Sequence, residues 1–197
     1  MAQGERKRKV FIAEDEAVIL TSFKLMVKQM GFAVVGSATN GVDALEGIRV
    51  SSPDLILMDI NLPQKDGLSV LKEVNREQVI PAIIVSGEFS DALVDQANEA
   101  GVFGYLLKPI DENQLEVTIK VALRRFQEFR DMSSECENLN IALKERKLIE
   151  RAKGILMDRF GVKEVDAMRQ LQKKSRDQNK KLSVVAEEII AADKLLS

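Results

Sequence analysis

Four short apolar runs in the first 110 residues each stop at a polar or charged residue, and segments of helical periodicity separate them. Val10–Ala13 runs into Glu14-Asp15, Leu55–Met58 into Asp59, Ala82–Val85 into Ser86, and Val102–Leu107 into Lys108-Pro109. Runs that are apolar at every position, rather than at alternate ones, are strands buried on both faces. Ala33-Val34-Val35-Gly36 is a fifth candidate. Between the runs, Ile19, Phe23, Met26 and Met30 recur at helical spacing up to Gly31, and Asn40 is placed to cap a helix carrying Val42, Leu45 and Ile48. A turn at Pro63–Gly67 precedes a helix with Leu68, Leu71 and Val74. A weakly amphipathic segment spans Ser90–Ala100, and a last helix begins near Asp111. Strands that alternate with helices in this way predict an α/β fold, a parallel sheet covered on both faces. In such a sheet, polar residues at the carboxyl ends of the strands converge on one crevice. Three carboxylates, a hydroxyl and an ammonium gathered there would hold a divalent metal and a phosphoryl group.

Composition removes several chemistries. The chain has no histidine, so a Ser-His-Asp triad, a histidine base and histidine-ligated zinc are excluded. No glycine-rich phosphate loop is present either, and a conventional enzyme is not expected. Cys136 is the single cysteine and offers no intramolecular disulfide. Apolar stretches are strand-sized, too short to cross a bilayer, and the basic N-terminus lacks the apolar segment of a signal peptide. A cytoplasmic protein with no membrane partner is expected, its residues 1–8 a flexible N-terminus. Charge is distributed unevenly. Residues 1–125 carry 14 Lys and Arg against 18 Asp and Glu, whereas residues 139–197 carry 14 against 9. An acidic front and a basic tail suggest two modules with different partners.

The helix that begins near Asp111 has no evident stop, since residues 111–158 contain no proline and one glycine, Gly154. Leu115, Ile119, Ala122 and Phe126 mark a face against the sheet. Beyond them Phe129, Met132, Cys136, Leu139 and Leu143 step by three and four residues, the spacing of a coiled-coil seam, and predict a homodimer. The tail reads as a small all-α bundle of three helices. The first ends at Phe160-Gly161, the second carries Val165, Met168 and Leu171, and Ser183 can cap a third striped by Val185, Ala186, Ile189 and Ile190.

With these motifs in order, residues 9–126 resemble a response-regulator receiver domain of two-component signalling. The resemblance implies a doubly wound five-stranded sheet of order 2-1-3-4-5, as in flavodoxin-like folds. It implies that Asp59 accepts a phosphoryl group from a sensor histidine kinase. Asp15, Asp59 and the Asn61 carbonyl would ligate Mg²⁺, with Glu14 acting through a water. Glu14 departs from the commoner aspartate at its position. Ser86 and Lys108 would bind the phosphoryl oxygens, Tyr105 would act as an aromatic switch, and the Lys108-Pro109 bond is expected to be cis. Taken singly, each residue has an ordinary reading: a turn former at Asp59 or Asn61, a strand exit at Lys108-Pro109, a core aromatic at Tyr105. Their order along five strand ends carries the resemblance. It further implies that phosphorylation repacks the face made by the last two helices and the strand between them, and so favours the dimer.

Residues 139–197 resemble an ANTAR domain, an RNA-binding output module of antitermination regulators, through Ala142-Leu143, the string Arg151-Ala152-Lys153-Gly154-Ile155-Leu156-Met157, Ala167, Leu171 and Val185-Ala186. Met168 stands where that family often has an aromatic. The resemblance implies binding of hairpin RNA in nascent transcripts, with residues 127–138 as a helical coiled-coil linker. Candidate contacts are Lys147, Arg151, Lys153, Gly154, Arg176, Lys180 and Lys181, on a module whose charge attracts phosphates. Phe160 is its only aromatic, so it lacks the stacking platform of sheet-based RNA readers. Gly154 and Ala152 admit either a close partner or close packing within the bundle. From pattern alone two other outputs stand beside this one: a DNA-binding transcriptional response regulator, and a protein-binding signalling adaptor.

Overall fold

A computed structural model describes residues 7–195. Its elements, in chain order, are β1 (Lys9–Ala13), α1 (Ala17–Gln29), β2 (Ala33–Ala38), α2 (Gly41–Ser51), β3 (Leu55–Asp59), α3 (Gly67–Glu77), β4 (Ala82–Ser86), α4 (Asp91–Glu99), β5 (Gly104–Leu107), α5 (Glu112–Phe160), α6 (Glu164–Gln178) and α7 (Leu182–Leu195). The strands form one parallel sheet of order β2-β1-β3-β4-β5. The chain divides into two compact units, one up to Phe129 and one from Arg130.

Alternation along each strand explains why the apolar runs are unbroken. Phe11, Ile56, Met58 and Ile84 point to one face, where Ala44 and Ile48 of α2, Leu71 and Val74 of α3 and Ala97 of α4 cover them. Val10, Ile12, Leu57 and Ile83 point to the other, beneath Leu20, Phe23 and Val27 of α1 and Leu115, Ile119 and Ala122 of α5. Each Val, Leu, Ile, Phe or Met side chain among them, taken fully out of water, stabilises by about 1.5–3 kcal/mol. A polar residue is therefore tolerated only where a strand leaves the core. Asn40 caps α2 as expected, accepting from Asp43 N, and Asp66 and Ser90 cap α3 and α4, accepting from Ser69 N and Leu93 N.

Several expectations are corrected. The buried line of α1 is Leu20, Phe23 and Val27, with Ile19, Met26 and Met30 at its edge. Of the N-terminal segment, residues 1–6 lie outside the described residues. Arg8 is held to the sheet, its carbonyl accepting from Ala33 N at 2.9 Å. Phe129, expected in the seam, packs edge-on to Phe103 at 5.9 Å between centroids and so belongs to the sheet-containing unit. In the second unit, Ala152, Leu156, Ala167, Leu171, Val185, Ala186 and Ile190 form the core. Val165 is exposed instead, because the inward face of α6 is centred on Ala167 and Leu171. Ser183 does not cap α7: it lies inside the helix, and its hydroxyl donates to Glu145 Oε1 at 3.1 Å.

Candidate functional site

Strand register brings the polar ends to one level. Ala13 pairs with Met58, Asp59 with Val85, and Ser86 with Leu107, so Glu14, Asp59, Ser86 and Lys108 leave the sheet side by side. Glu14, Asp15 and Asp59 each offer a carboxylate oxygen within 4.8 Å of the others. Lys108 Nζ donates to Asp59 Oδ2 at 2.6 Å and to Glu14 Oε1 at 2.8 Å. Asp59 Oδ1 accepts from Asn61 N at 2.9 Å, which draws the following turn against the carboxylate. Gly67 lets that turn close: a Cβ there would sit 2.0 Å from the Asp59 carbonyl oxygen. Lys108-Pro109 is cis, as expected.

The electrostatics are those of a cluster short of one cation. Glu14 has no solvent exposure, and its Oε2 has no hydrogen-bond partner. Burial, helped by the nearby Asp59 charge and opposed by Lys108, pushes the Glu14 carboxyl up to about 7. Burial depresses Lys108, but its bonds to Asp59 and Glu14 outweigh this and hold it above its ordinary value. An all-oxygen donor set with excess negative charge suits a hard divalent cation such as Mg²⁺. The unsatisfied Glu14 oxygen is the atom such an ion, or a water on it, would satisfy.

Ser86 and Tyr105 are held by a neighbour that inspection of residue types did not find. The Ser86 hydroxyl donates to Glu88 O at 2.9 Å and accepts from Glu88 N at 3.1 Å. The Tyr105 hydroxyl donates to the same carbonyl at 2.6 Å, and its ring meets Phe89 edge-on at 6.4 Å. Glu88 acts through its backbone, so no residue type could have announced it. Phe89, an exposed aromatic in a polar loop, was the available signal. Phe89, Tyr105, Leu107 and Val117 border a hollow of about 700 Å³ on the α4–β5–α5 face.

The basic residues of the second unit do not share one environment. Lys147 and Arg151 are exposed on α5, Arg176 on α6, and Lys181 just before α7. Lys153, expected as an RNA contact, is buried and bonded to Glu150 at 2.9 Å and Glu164 at 2.7 Å, tying α5 to the start of α6. Lys180 is paired with Glu188. A Cβ at Gly154 would meet nothing within 4 Å, so packing within the bundle does not account for this glycine. Arg169 and Lys173 are exposed on α6 as well, Arg169 lying 3.6 Å from Asp166. On α5, Met132, Leu139 and Leu143 are 71%, 64% and 52% exposed, and Cys136 is exposed with them. No helix among the described residues is long and apolar enough to cross a membrane.

Comparison with known proteins finds a different family on each side of the division between the two units. Residues 10–120 match the response regulator receiver domain, and residues 137–190 match the ANTAR domain. The transcriptional regulatory protein PdtaR of Mycobacterium tuberculosis is 34% identical over 183 residues, 93% of this chain and 89% of the relative. CseB, a transcriptional regulatory protein of Streptomyces coelicolor, is 35% identical over 117 residues, 59% of this chain and 50% of the relative. Among solved structures, a CheY-like receiver domain protein from Methanospirillum hungatei is 26% identical at TM-score 0.59, covering 62% of this chain and 98% of that one. The receiver domain of the putative response regulator NarL from Mycobacterium tuberculosis is 28% identical at TM-score 0.56, covering 59% and 97%.

Proposed function

Since the chain belongs to the response regulators, with an ANTAR domain behind its receiver, we propose that it takes a phosphoryl group on Asp59 and in that state binds hairpin RNA to prevent transcription termination. The observation that carries this reading is Asp59 at the end of β3, bonded to Lys108 inside a cluster of three carboxylates.

An Asp59 carboxylate oxygen attacks the phosphorus of a phosphohistidine on a sensor kinase, the P–N bond breaks, and the imidazole leaves. The histidine must come from the partner, because this chain has none. Glu14, Asp15, Asp59 and the Asn61 carbonyl would hold Mg²⁺, which when bound supplies positive charge between a carboxylate and an anionic phosphoryl group. Lys108 exchanges its Asp59 contact for a phosphoryl oxygen. Ser86 gives up Glu88 to donate to another, and the shared Glu88 carbonyl passes that change to Tyr105. The face bordered by Phe89, Tyr105 and Val117 then repacks and favours a dimer, which the exposed α5 residues Met132, Cys136, Leu139 and Leu143 extend. Lys147, Arg151, Arg176 and Lys181, unlike Lys153, stand open to phosphates.

Acetyl phosphate with Mg²⁺ should add one phosphoryl group, seen by intact mass, to wild type and none to Asp59→Asn. Modified protein should retain hairpin RNA on a filter better than duplex DNA. Equal or stronger retention of duplex DNA, or indifference to modification, rejects the antitermination reading.

A further inference from the structure

We infer that a hollow in the second unit, between α5, α6 and α7, receives a single unstacked base of the bound RNA, with Phe160 as its stacking surface. This rests on the RNA-binding reading above and adds the place where sequence is read. The hollow measures about 330 Å³, at the lower end of the roughly 300–1,000 Å³ range of small-ligand pockets. Ile155, Leu156, Ile189 and Ala192 give it apolar walls. Phe160 stands at its mouth, 68% exposed. The backbone sets that position. Gly161, at φ +63°, ends α5 with its N–H on the Met157 carbonyl at 3.0 Å, leaving Phe160 on the last turn. A single exposed phenylalanine is ordinary on a protein surface; one at the mouth of an apolar hollow in a basic module is a different case.

The polar groups of the hollow choose the occupant. Arg159 and Asp193, both in its lining, pair at 2.5 Å, and Gln170, Lys174 and Glu188 complete the lining. It thus sets two carboxylates, already paired with Arg159 and Lys180, beside the Gln170 amide, the Lys174 ammonium and apolar surface. A hydrocarbon side chain from a protein partner would strip water from these groups and give nothing back. A nucleobase has an apolar face for Phe160 and an edge of donors and acceptors for the rest. The surrounding charge, 14 Lys and Arg against 9 Asp and Glu over residues 139–197, draws in the phosphates to which the base is attached.

The test uses the full-length protein and stem-loop RNAs selected for binding from a pool with one fixed stem and a randomised loop. Two variants act on the hollow in different ways: Phe160→Ala removes the stacking face, and Ala192→Phe fills the space from an exposed position. Each should weaken the selected loops roughly 5- to 150-fold, the range measured for loss of one base–aromatic stack. The slope of affinity against salt should stay that of wild type, because no phosphate contact is lost. An abasic substitution at one loop position should cost as much in wild type and almost nothing further in Phe160→Ala. Wild-type affinity in both variants, with melting curves unchanged, overturns the base site and leaves RNA binding standing. Loss of dimer in sedimentation with RNA affinity intact assigns the hollow to a second copy, and likewise overturns it. Failure of wild type to enrich any stem-loop removes the RNA reading itself.

Discussion

Replacing Glu14 by glutamine should make the metal-free protein less sensitive to pH. In the folded chain this carboxyl is fully buried, one oxygen is unpartnered, and its pKa stands at about 7 against an ordinary 4.5. Between those values the folded state holds a proton that the unfolded chain has released. Stability must therefore fall as pH rises from about 4.5 and level off only above about 7. A displacement of that size corresponds to a loss on the order of 1–3 kcal/mol across the window. The chain has no histidine to titrate in the same range, which makes the signal readable. Urea unfolding followed by circular dichroism in EDTA, at intervals from pH 5 to 8.5, measures it. Wild type should lose stability over this range, and Glu14→Gln should run flatter and be the more stable of the two at pH 8. Added Mg²⁺ should restore wild type at high pH and help the variant less. A wild-type curve that is flat, or a slope that survives in Glu14→Gln, would show that burial of this carboxylate is not what the cluster has to offset.

Four further outcomes follow from the same structure. Gly67→Ala should destabilise the receiver by about 1–3 kcal/mol in urea unfolding, because the added Cβ meets the Asp59 carbonyl at 2.0 Å; unchanged stability would mean the turn relaxes freely. Lys147→Ala and Arg151→Ala should each lower the slope of log affinity for hairpin RNA against log salt by about one. Lys153→Met should leave that slope alone and lower the melting temperature of the tail instead, since Lys153 is spent on Glu150 and Glu164. Leu139→Ser with Leu143→Ser should shift phosphorylated protein toward monomer in sedimentation, while acetyl phosphate still modifies Asp59; a dimer of wild-type strength would put the contact elsewhere.

Much of the site is legible residue by residue. Glu14, Asp59, Ser86 and Lys108 stand out because a polar residue ending an apolar run has left the core, and in a parallel sheet the run ends share one side. Other features are not legible, for stated reasons. The Glu88 carbonyl that joins Ser86 to Tyr105 is backbone, common to every residue type. Phe129 fits a coiled-coil step and a sheet contact equally well until Phe103 is seen beneath it. Val165 reaches Leu171 through Met168 in two steps of three and Ala167 in one step of four, and only the positions of α5 and α7 decide which turns inward. Lys153 reads as one more surface cation until Glu150 and Glu164 close around it.

Periodicity, breaks and charge along the chain were sufficient for the order of elements, the parallel sheet, the crevice and the two modules, because these depend on where apolar side chains must leave water. Which cation is free, which hydroxyl is held and where a hollow opens depended on the tertiary structure. Those are matters of distance between residues far apart in the chain, and a linear pattern carries no information about distance until the core has closed.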